Sequence, residues 1–237
     1  TKVSLELGGK APAIVCADAN LELAVNAVVS SRIIYSGQVC NCAERVYVEE
    51  SIHDQFLEMV TAKMKAIKVE DAFSENNPDM SALVSKAQLD KVSEMVEFAK
   101  KEGAEVLVGG SRSSQFDKGY FYQPTLLTNV RQDMQIIQEE VFGPVLPVMK
   151  FSTLDEAIAM ANDSEFGLTS SIFSENFNKV MHAAEELQYG ETYINREHFE
   201  AIQGFHAGWK KSGLGGADGK HGMEEYLQTK VVYAQYR

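Results

Sequence analysis

The sequence predicts an α/β fold in which a mostly parallel β-sheet is flanked by helices. Short apolar runs typical of buried strands alternate along the chain with longer stretches whose apolar residues follow helical spacing. Hydrophobic residues make up 45% of the chain and charged residues 24%, which is typical of a globular protein. With 237 residues, such a chain can bury a sizeable core.

The first half of the chain supplies clear start and stop signals. Asn20 and Ser51 are side chains that can cap the first turn of a helix, and Gly103 is suited to ending one. The runs between these signals are rich in β-branched residues, which favour strands. The predicted helices cover residues 20–34, a stretch beginning at 51, and 86–101, and the predicted strands cover 13–15, 45–48 and 105–108.

The second half continues the alternation around two polar loops, over residues 111–122 and 204–222. Glycine and polar residues dominate both loops, whereas the segments around them are apolar. The chain is predicted to end in a strand over residues 230–236. The other predicted strands cover 125–130, 146–151, 168–173 and 193–195, and the helices cover 154–161, 175–187 and 223–228.

The charge and cysteine content exclude several classes of protein. The formal net charge of −12 argues against binding to a phosphate backbone, which requires clustered basic residues. The sequence contains no run of 18 apolar residues, so no membrane span is predicted. Residues 1–6 do not resemble a signal peptide. Three cysteines, Cys16, Cys40 and Cys42, form neither a disulfide framework nor a zinc pattern, so we expect a cytoplasmic protein without a metal site.

Three short motifs combine residues that carry chemistry. Residues 6–10 read Glu-Leu-Gly-Gly-Lys, residues 37–42 read Gly-Gln-Val-Cys-Asn-Cys, and residues 139–144 read Glu-Glu-Val-Phe-Gly-Pro. Taken singly, each has a plain structural explanation: a turn at a strand end, a buried small thiol, and a solvated acidic loop. The polar neighbours of Cys40 nevertheless favour a partly exposed thiol, which reactivity requires.

Together the three motifs resemble the aldehyde dehydrogenase superfamily, and the resemblance covers essentially the whole chain. The motifs occur in the order found in that family, and the 34 residues from Glu6 to Cys40 match its usual interval. The segments at residues 37–45 and 204–209 look most like the bacterial branch that acts on lactaldehyde and glycolaldehyde. The resemblance implies oxidation of an aldehyde to its carboxylic acid, with NAD as cofactor and NADP not excluded.

The resemblance also assigns roles to individual residues. Cys40 matches the nucleophile that forms a thioester, and Glu6 matches the base that activates water, a role suited to a buried carboxylate. Glu140 matches the residue that binds the nicotinamide ribose, and Phe142 matches the ring packed beside the nicotinamide. Leu7 and Lys91 are weaker candidates for cofactor contacts, and Lys10 is expected to form a structural ion pair.

The substrate is predicted to be a short α-hydroxyaldehyde, such as lactaldehyde or glycolaldehyde. Many family members read Pro-Phe-Gly-Gly where residues 205–208 read Phe-His-Ala-Gly, so His206 replaces an apolar ring. His206, together with Asn41 and Glu200, could bond a hydroxyl on the aldehyde and discriminate against substrates without one. A histidine in an exposed loop is the competing explanation.

Three alternatives remain open at this point. An acylating dehydrogenase would tend to lack the base at Glu6, and a semialdehyde dehydrogenase would need a basic residue that is not obvious near Cys40. The third is a non-catalytic oligomerisation module. We expect residues 1–228 to form the catalytic domain and residues 229–237 a strand that joins subunits of a homo-oligomer, a dimer or tetramer. The dinucleotide-binding domain of complete family members has no counterpart in the sequence, so these 237 residues alone should turn over little aldehyde.

Overall fold

A computed structural model describes residues 2–237. Its strands are β1 (Leu5–Glu6), β2 (Ala11–Val15), β3 (Ala43–Glu49), β4 (Glu105–Val108), β5 (Thr125–Thr128), β6 (Val145–Phe151), β7 (Phe166–Gly167), β8 (Thr169–Phe173), β9 (Glu191–Ile194), β10 (Trp209–Lys210) and β11 (Gly213–Leu214). Its helices are α1 (Leu21–Ile33), α2 (His53–Lys65), α3 (Lys86–Glu102), α4 (Gln135–Gln138), α5 (Leu154–Asn162), α6 (Phe177–Glu186) and α7 (Gly219–Glu225).

Seven strands form the central sheet in the order β4-β5-β6-β3-β2-β8-β9. All neighbouring strands are parallel except β4 and β5, so the sheet is mostly parallel, as predicted. Strands β2 and β8 are buried along their whole length, because helices cover both faces of the sheet. The α/β class is thereby confirmed.

Side-chain alternation along β3 shows how the layers are assembled. Val46 and Val48 point to one face, where they pack with residues of α1 and α2. Tyr47 points to the other face and packs with residues of α5 and α6. A third cluster of buried residues lies beneath α3 and α4 beside β5 and β6. The caps at Asn20 and Ser85 accept backbone N–H bonds from Leu23 and Gln88.

The loops that carry the three motifs all precede strands of the sheet. Residues 6–10 lead into β2, residues 37–42 lead into β3, and residues 139–144 lead into β6. Because β2, β3 and β6 are parallel, their amino ends meet at one edge of the sheet. The topology therefore brings the three motifs together at that edge.

The structure differs from the sequence-based prediction mainly in the last forty residues. The predicted loop over 204–222 contains β10 and β11, which pair with the distant strands β7 and β1. Helix α7 begins at Gly219 rather than at residue 223, so the predicted bounds were wrong. Such short strands depend on partners far away in sequence, which local patterns do not reveal.

Two further differences concern regular structure outside the sheet. Helix α4 was not predicted, since it has only four residues and its start at Met134 has no side-chain cap. Residues 229–237 form no strand within the single chain and are exposed.

Among the helices of residues 2–237, none has the length and apolar character needed to cross a bilayer.

Candidate active site

The turn between α1 and Cys40 has an unusual backbone. Tyr35, Ser36 and Gly37 have consecutive positive φ angles of 45°, 59° and 75°. The Ser36 hydroxyl donates to the Ser81 carbonyl at 2.7 Å, and Arg32 donates to the Gly37 carbonyl. Left-handed conformations at residues other than glycine persist only where surrounding contacts enforce them, and they cluster at functional sites. This turn reverses the chain and delivers Cys40 to the amino end of β3.

Cys40 is the most accessible of the three cysteines, all of which are free thiols. It is half-buried, whereas Cys16 and Cys42 are fully buried. Burial raises the pKa of Cys16 to about 12 and that of Cys42 to about 11. The Cys42 thiol also donates to the Val39 carbonyl at 2.8 Å. Cys40 is thus the thiol suited to nucleophilic attack, because the other two are held protonated and away from solvent.

The backbone just after Cys40 is fixed by buried hydrogen bonds. The Asn41 carbonyl accepts from Thr169 Oγ1 at 2.7 Å and from His198 Nδ1 at 2.8 Å. The other His198 nitrogen accepts from Ser171 Oγ at 2.6 Å. Burial lowers the pKa of His198 to about 4, so its ring is neutral near pH 7 and donates only through Nδ1. The Asn41 side chain donates to Glu200.

His206 also lies near Cys40. Its Nδ1 hydrogen-bonds the Glu191 carboxylate, and the Tyr193 hydroxyl donates to the second oxygen of Glu191. Hydrogen bonds with the Cys40 thiol and with Glu191 raise the pKa of His206 to about 10. The His206 ring is buried and is not a solvated loop side chain. The Glu191 carboxylate is thus bonded by both His206 and Tyr193.

The Gly8–Gly9 backbone lies between Cys40 and Glu140. A Cβ added at Gly9 would meet the Cys40 carbonyl oxygen at 2.3 Å, and one added at Gly8 would meet Glu140 Oε2 at 2.6 Å. The Gly9 amide donates to Glu140 Oε1 at 2.8 Å. Both glycines are needed because the backbone passes two groups more closely than any side chain would permit.

A buried carboxylate, Glu44, connects the motifs beneath these glycines. Its Oε2 accepts from Lys10 Nζ at 2.8 Å and from the Val141 amide at 3.1 Å. Its Oε1 accepts from the Phe142 amide at 3.0 Å and pairs with Arg32 Nη1 at 3.2 Å. Burial alone would raise the pKa of Glu44, but the charges of Lys10 and Arg32 and the hydrogen bonds to the carboxylate together lower it to about 2. The structural ion pair expected of Lys10 is confirmed.

The residues predicted to contact the cofactor lie on the Glu140 side. Burial raises the pKa of Glu140, and the positive charge of Lys91 on α3 opposes that effect. Phe142 has a left-handed backbone, with φ of 55°, and its carbonyl accepts from Gln88 at 2.7 Å. Leu7 is exposed and its amide donates to the Ser212 carbonyl at 3.0 Å.

The structure brings most predicted site residues together, with one correction. Asn41, Glu200 and His206 lie around Cys40, and Glu140 lies across the glycines. Glu6 was expected to be buried but is exposed, because β1 has a single neighbour, β11, and no second layer over it. Within the described part of the chain, no three His, Cys, Asp or Glu side chains are arranged to hold a metal ion.

Sequence reasoning missed four residues of this site: Arg32, Glu44, Glu191 and His198. Two features of the sequence could have indicated some of these residues. Glu44 and Arg45 are charged residues inside an apolar strand, and Glu191 begins a strand that continues with Thr192 and Tyr193. Charged residues at such positions are rarely buried unless they are paired. Each therefore indicated a hydrogen-bonding or oppositely charged partner elsewhere in the chain.

Comparison with known proteins now places this geometry in a family. The profile described as the aldehyde dehydrogenase family matches residues 1–232. The lactaldehyde dehydrogenase of Escherichia coli is 60% identical over 235 residues, which is 99% of this chain and 49% of that protein. The 3,6-anhydro-alpha-L-galactose dehydrogenase of a Vibrio species is 48% identical over 99% of this chain and 49% of its own length.

Solved structures give the same result. The crystal structure of the Escherichia coli lactaldehyde dehydrogenase superposes with a TM-score of 0.97 over 100% of this chain and 49% of the other. A betaine aldehyde dehydrogenase from Staphylococcus aureus, solved in complex with NAD+, is 40% identical and has a TM-score of 0.93 over 97% of this chain and 47% of its own. The chain thus spans about half the length of the relatives it matches.

Proposed function

Because the chain belongs to the aldehyde dehydrogenase family, we propose that the protein oxidises a short α-hydroxyaldehyde to its carboxylic acid with NAD. Lactaldehyde and glycolaldehyde are the substrates we favour. The observation that carries the proposal is the setting of Cys40: it is the accessible thiol of the three, and three polar side chains that can bond a hydroxyl surround it. These are Asn41, Glu200 and His206.

Cys40 acts as the nucleophile in this proposal. Its sulfur forms a bond to the aldehyde carbon while the carbonyl π electrons move to oxygen, which the Cys40 amide would stabilise. NAD, when bound, supplies the hydride acceptor. The acyl group then remains on Cys40 as a thioester, and Glu6 takes a proton from the water that hydrolyses it. The exposed position of Glu6 leaves it accessible to that water.

The Glu140 side of the glycines fits the ribose of the cofactor. Glu140 Oε1 is occupied by the Gly9 amide, which leaves Oε2 for ribose hydroxyl groups. A Cβ at Gly8 would collide with the Glu140 carboxylate, 2.6 Å from Oε2, so this glycine lets the carboxylate lie close to the backbone. Phe142 and Leu7 would pack near the nicotinamide, and Lys91 would face the adenosine side. Carboxylates are suited to this task because they accept from both hydroxyls of a ribose.

Hydroxyl recognition would set substrate preference. A site built to bond a hydroxyl rejects an analogue without one strongly, because its buried polar groups are then left unpaired. In the intact protein, we expect His206→Phe to raise the KM for lactaldehyde far more than the KM for propanal. Steady-state kinetics with both aldehydes provide the measurement, and equal effects on the two would contradict the proposal.

Thiol labelling separates an active site from a merely structural module. We expect iodoacetamide to alkylate Cys40 much faster than Cys16 and Cys42, whose thiols are buried with raised pKa values. Peptide mass spectrometry reports each rate. Uniformly slow labelling of all three would favour the non-catalytic alternative.

The proposal extends to the remainder of the protein. Residues 1–228 act as the catalytic domain, and a dinucleotide-binding domain, which the family resemblance implies, completes cofactor binding. A protein limited to these 237 residues should therefore turn over little aldehyde. Residues 229–237 would pair across the subunits of a homo-oligomer, since Val231, Val232 and Tyr233 are exposed apolar side chains there. Three free thiols suit the reducing cytoplasm.

A further inference from the structure

The Cys42 thiol is a buried group that the chemistry above does not use. The residue is 1% exposed and follows Cys40 and Asn41 directly in the chain. Its sulfur donates to the Val39 carbonyl at 2.8 Å, and its amide reaches the same oxygen at 3.4 Å. Burial raises the pKa of Cys42 to about 11, so the thiol keeps the hydrogen that it donates near pH 7. The Cys42 side chain is thus tied to the backbone just before Cys40.

The Val39 carbonyl and the Cys40 amide belong to one planar peptide group, which is trans. A hydrogen bond that fixes the carbonyl therefore also fixes the direction of the Cys40 N–H, which points the opposite way. In the part of the chain that the structure describes, the Cys40 amide donates to no backbone carbonyl. The amide is thus available to the oxyanion that forms when the Cys40 sulfur attacks a carbonyl carbon.

Arg32 lies behind the Cys42 sulfur and is held in place by further contacts. It is completely buried in the last turn of α1, and its Nη2 donates to the Cys42 sulfur at 2.9 Å and to the Gly37 carbonyl. Its Nη1 donates to the Ala43 carbonyl at 3.0 Å and pairs with Glu44 Oε1 at 3.2 Å. The guanidinium therefore grips both ends of the nucleophile loop, residues 37–42, and cannot turn away from the sulfur without losing these bonds.

We propose that Cys42 is a positioning residue for the oxyanion: its thiol links the Arg32 guanidinium to the Val39–Cys40 peptide and so aims the Cys40 amide at the carbonyl oxygen under attack. Hydrogen bonds from a charged donor are stronger than neutral ones, and hydrogen bonds joined in series polarise one another. The Cys40 N–H thereby becomes both better directed and a better donor. The inference rests on the proposed function in taking the Cys40 amide as the oxyanion donor.

Simple packing is the competing explanation for Cys42. A buried free cysteine commonly behaves as a small apolar side chain. Under that explanation, an apolar residue of similar size would serve as well as the thiol. The proposed role instead requires a hydrogen-bond donor at this position, so the two explanations predict different variants to be active.

Two reactions of Cys40 in the intact protein separate the oxyanion from the nucleophile. Acylation by p-nitrophenyl acetate passes through an oxyanion, whereas alkylation by iodoacetamide displaces iodide without forming one, and neither needs a cofactor. Initial nitrophenolate release and peptide mass spectrometry report the two rates. Losing an oxyanion donor costs about 100- to 1,000-fold in rate, so misdirecting one with Cys42→Ala should slow acylation by about tenfold. Alkylation of Cys40 should keep the wild-type rate.

The conservative variant and the control share the same measurements. Cys42→Ser keeps a donor for the Val39 carbonyl and should recover most of the acylation rate. Cys16→Ala is the matched control, because it removes an equally buried thiol that follows the carboxyl end of β2, whereas Cys40 lies at the amino end of β3. Both of its rates should equal the wild type. Thermal unfolding is measured for each variant, and if Cys42→Ala does not fold, Cys42→Val removes the donor while filling the space.

Three outcomes overturn the inference. They are an unchanged ratio of acylation to alkylation in the folded donor-free variant, a Cys42→Ser variant as slow as that variant, and an equal fall in Cys16→Ala. In each case lactaldehyde oxidation by the wild type would still support the proposed function. A wild type that acylates Cys40 but oxidises no lactaldehyde would contradict that function alone, and one whose Cys40 is not acylated at all would contradict both.

Discussion

Two clusters of charged side chains lie on opposite sides of the Gly8–Gly9 backbone, and they differ in how deeply their side chains are buried. The ion-pair cluster, Lys10, Glu44 and Arg32, is completely buried, and each oxygen of Glu44 has two donors. The nucleophile cluster, Cys40, His206, Glu191 and Tyr193, is partly open. Within it, Glu191 is bonded by His206 Nδ1 and by the Tyr193 hydroxyl.

The difference assigns a separate task to each cluster. Charges as deeply buried as Lys10 and Glu44 are tolerated only when fully paired, so that cluster serves to hold the shape of the surrounding loops. It fixes the Val141 and Phe142 amides, and with them the loop that carries Glu140. In the nucleophile cluster, by contrast, the Cys40 thiol remains accessible beside this framework.

The largest expected effect comes from breaking the ion-pair cluster. Glu44→Gln would leave the positive charges of Lys10 and Arg32 buried without their carboxylate. Removing one partner of a buried pair costs about 3–5 kcal/mol, so we expect a stability loss of that order in urea-induced unfolding. Glu50→Gln, an exposed change just beyond the same strand, is the control and should be neutral. A loss below about 1 kcal/mol would show that the cluster is not structural.

The same variant tests the pH dependence of stability. The folded pKa of Glu44, about 2, lies below its ordinary value of 4.5. Its contribution is therefore fully present above pH 4.5 and is lost as the pH falls toward 2. Glu44→Gln should flatten the stability curve in that window. A curve as steep as that of the wild type would mean that other carboxylates cause the acid sensitivity.

The backbone between the clusters offers a more selective perturbation. Gly9→Ala places a methyl group 2.3 Å from the Cys40 carbonyl oxygen, so the nucleophile must shift. A displacement of about 1 Å at a reacting atom can cost a hundredfold in rate, and we expect aldehyde oxidation by the intact protein to fall by about that factor.

Gly103→Ala is the control for that prediction. A Cβ there meets no atom within 4 Å, but the positive φ of 106° is strained for alanine. It should lower stability while leaving the rate unchanged. If both variants lose stability and neither loses activity, Gly9 serves folding and does not position Cys40.

The sequence identified the alternating strands and helices and the three motifs because each depends on local order. Cap residues such as Asn20 and Gly103, and the apolar runs between them, act within a few positions. Cys40, Glu6 and Glu140 were predicted as site residues from the motifs, their spacing and their resemblance to the family. The nearness of the three motifs follows from parallel pairing of β2, β3 and β6, which local patterns do not contain.

The residues that sequence reasoning missed share one property: their partners are distant in the chain. Glu44 contacts the amides of residues 141 and 142, and His198 contacts the carbonyl of Asn41. The exposure of Glu6 also depends on what covers β1. Burial and pairing of this kind are set by the assembled sheet, so no periodicity in sequence could reveal them.

The smallest expected effect concerns His198, which supports the nucleophile loop from below. His198→Gln keeps an N–H group for the Asn41 carbonyl and an acceptor for Ser171, but in altered geometry. We expect a loss of about 1–3 kcal/mol, the cost of imperfectly satisfied buried polar groups.

The pH profile of His198→Gln distinguishes this role from simple packing. The folded pKa of His198, about 4, is below its ordinary value of 6.5, so its neutral form stabilises the fold above pH 6.5 and this contribution is lost as the pH falls toward 4. The variant should lose that slope in urea-unfolding curves. His182→Gln, at an exposed histidine whose hydrogen bond with Asp155 raises its pKa, should retain it. Parallel curves for His198→Gln and the wild type would mean that the ring does not titrate with unfolding, and that the Asn41 carbonyl is held by Thr169 alone.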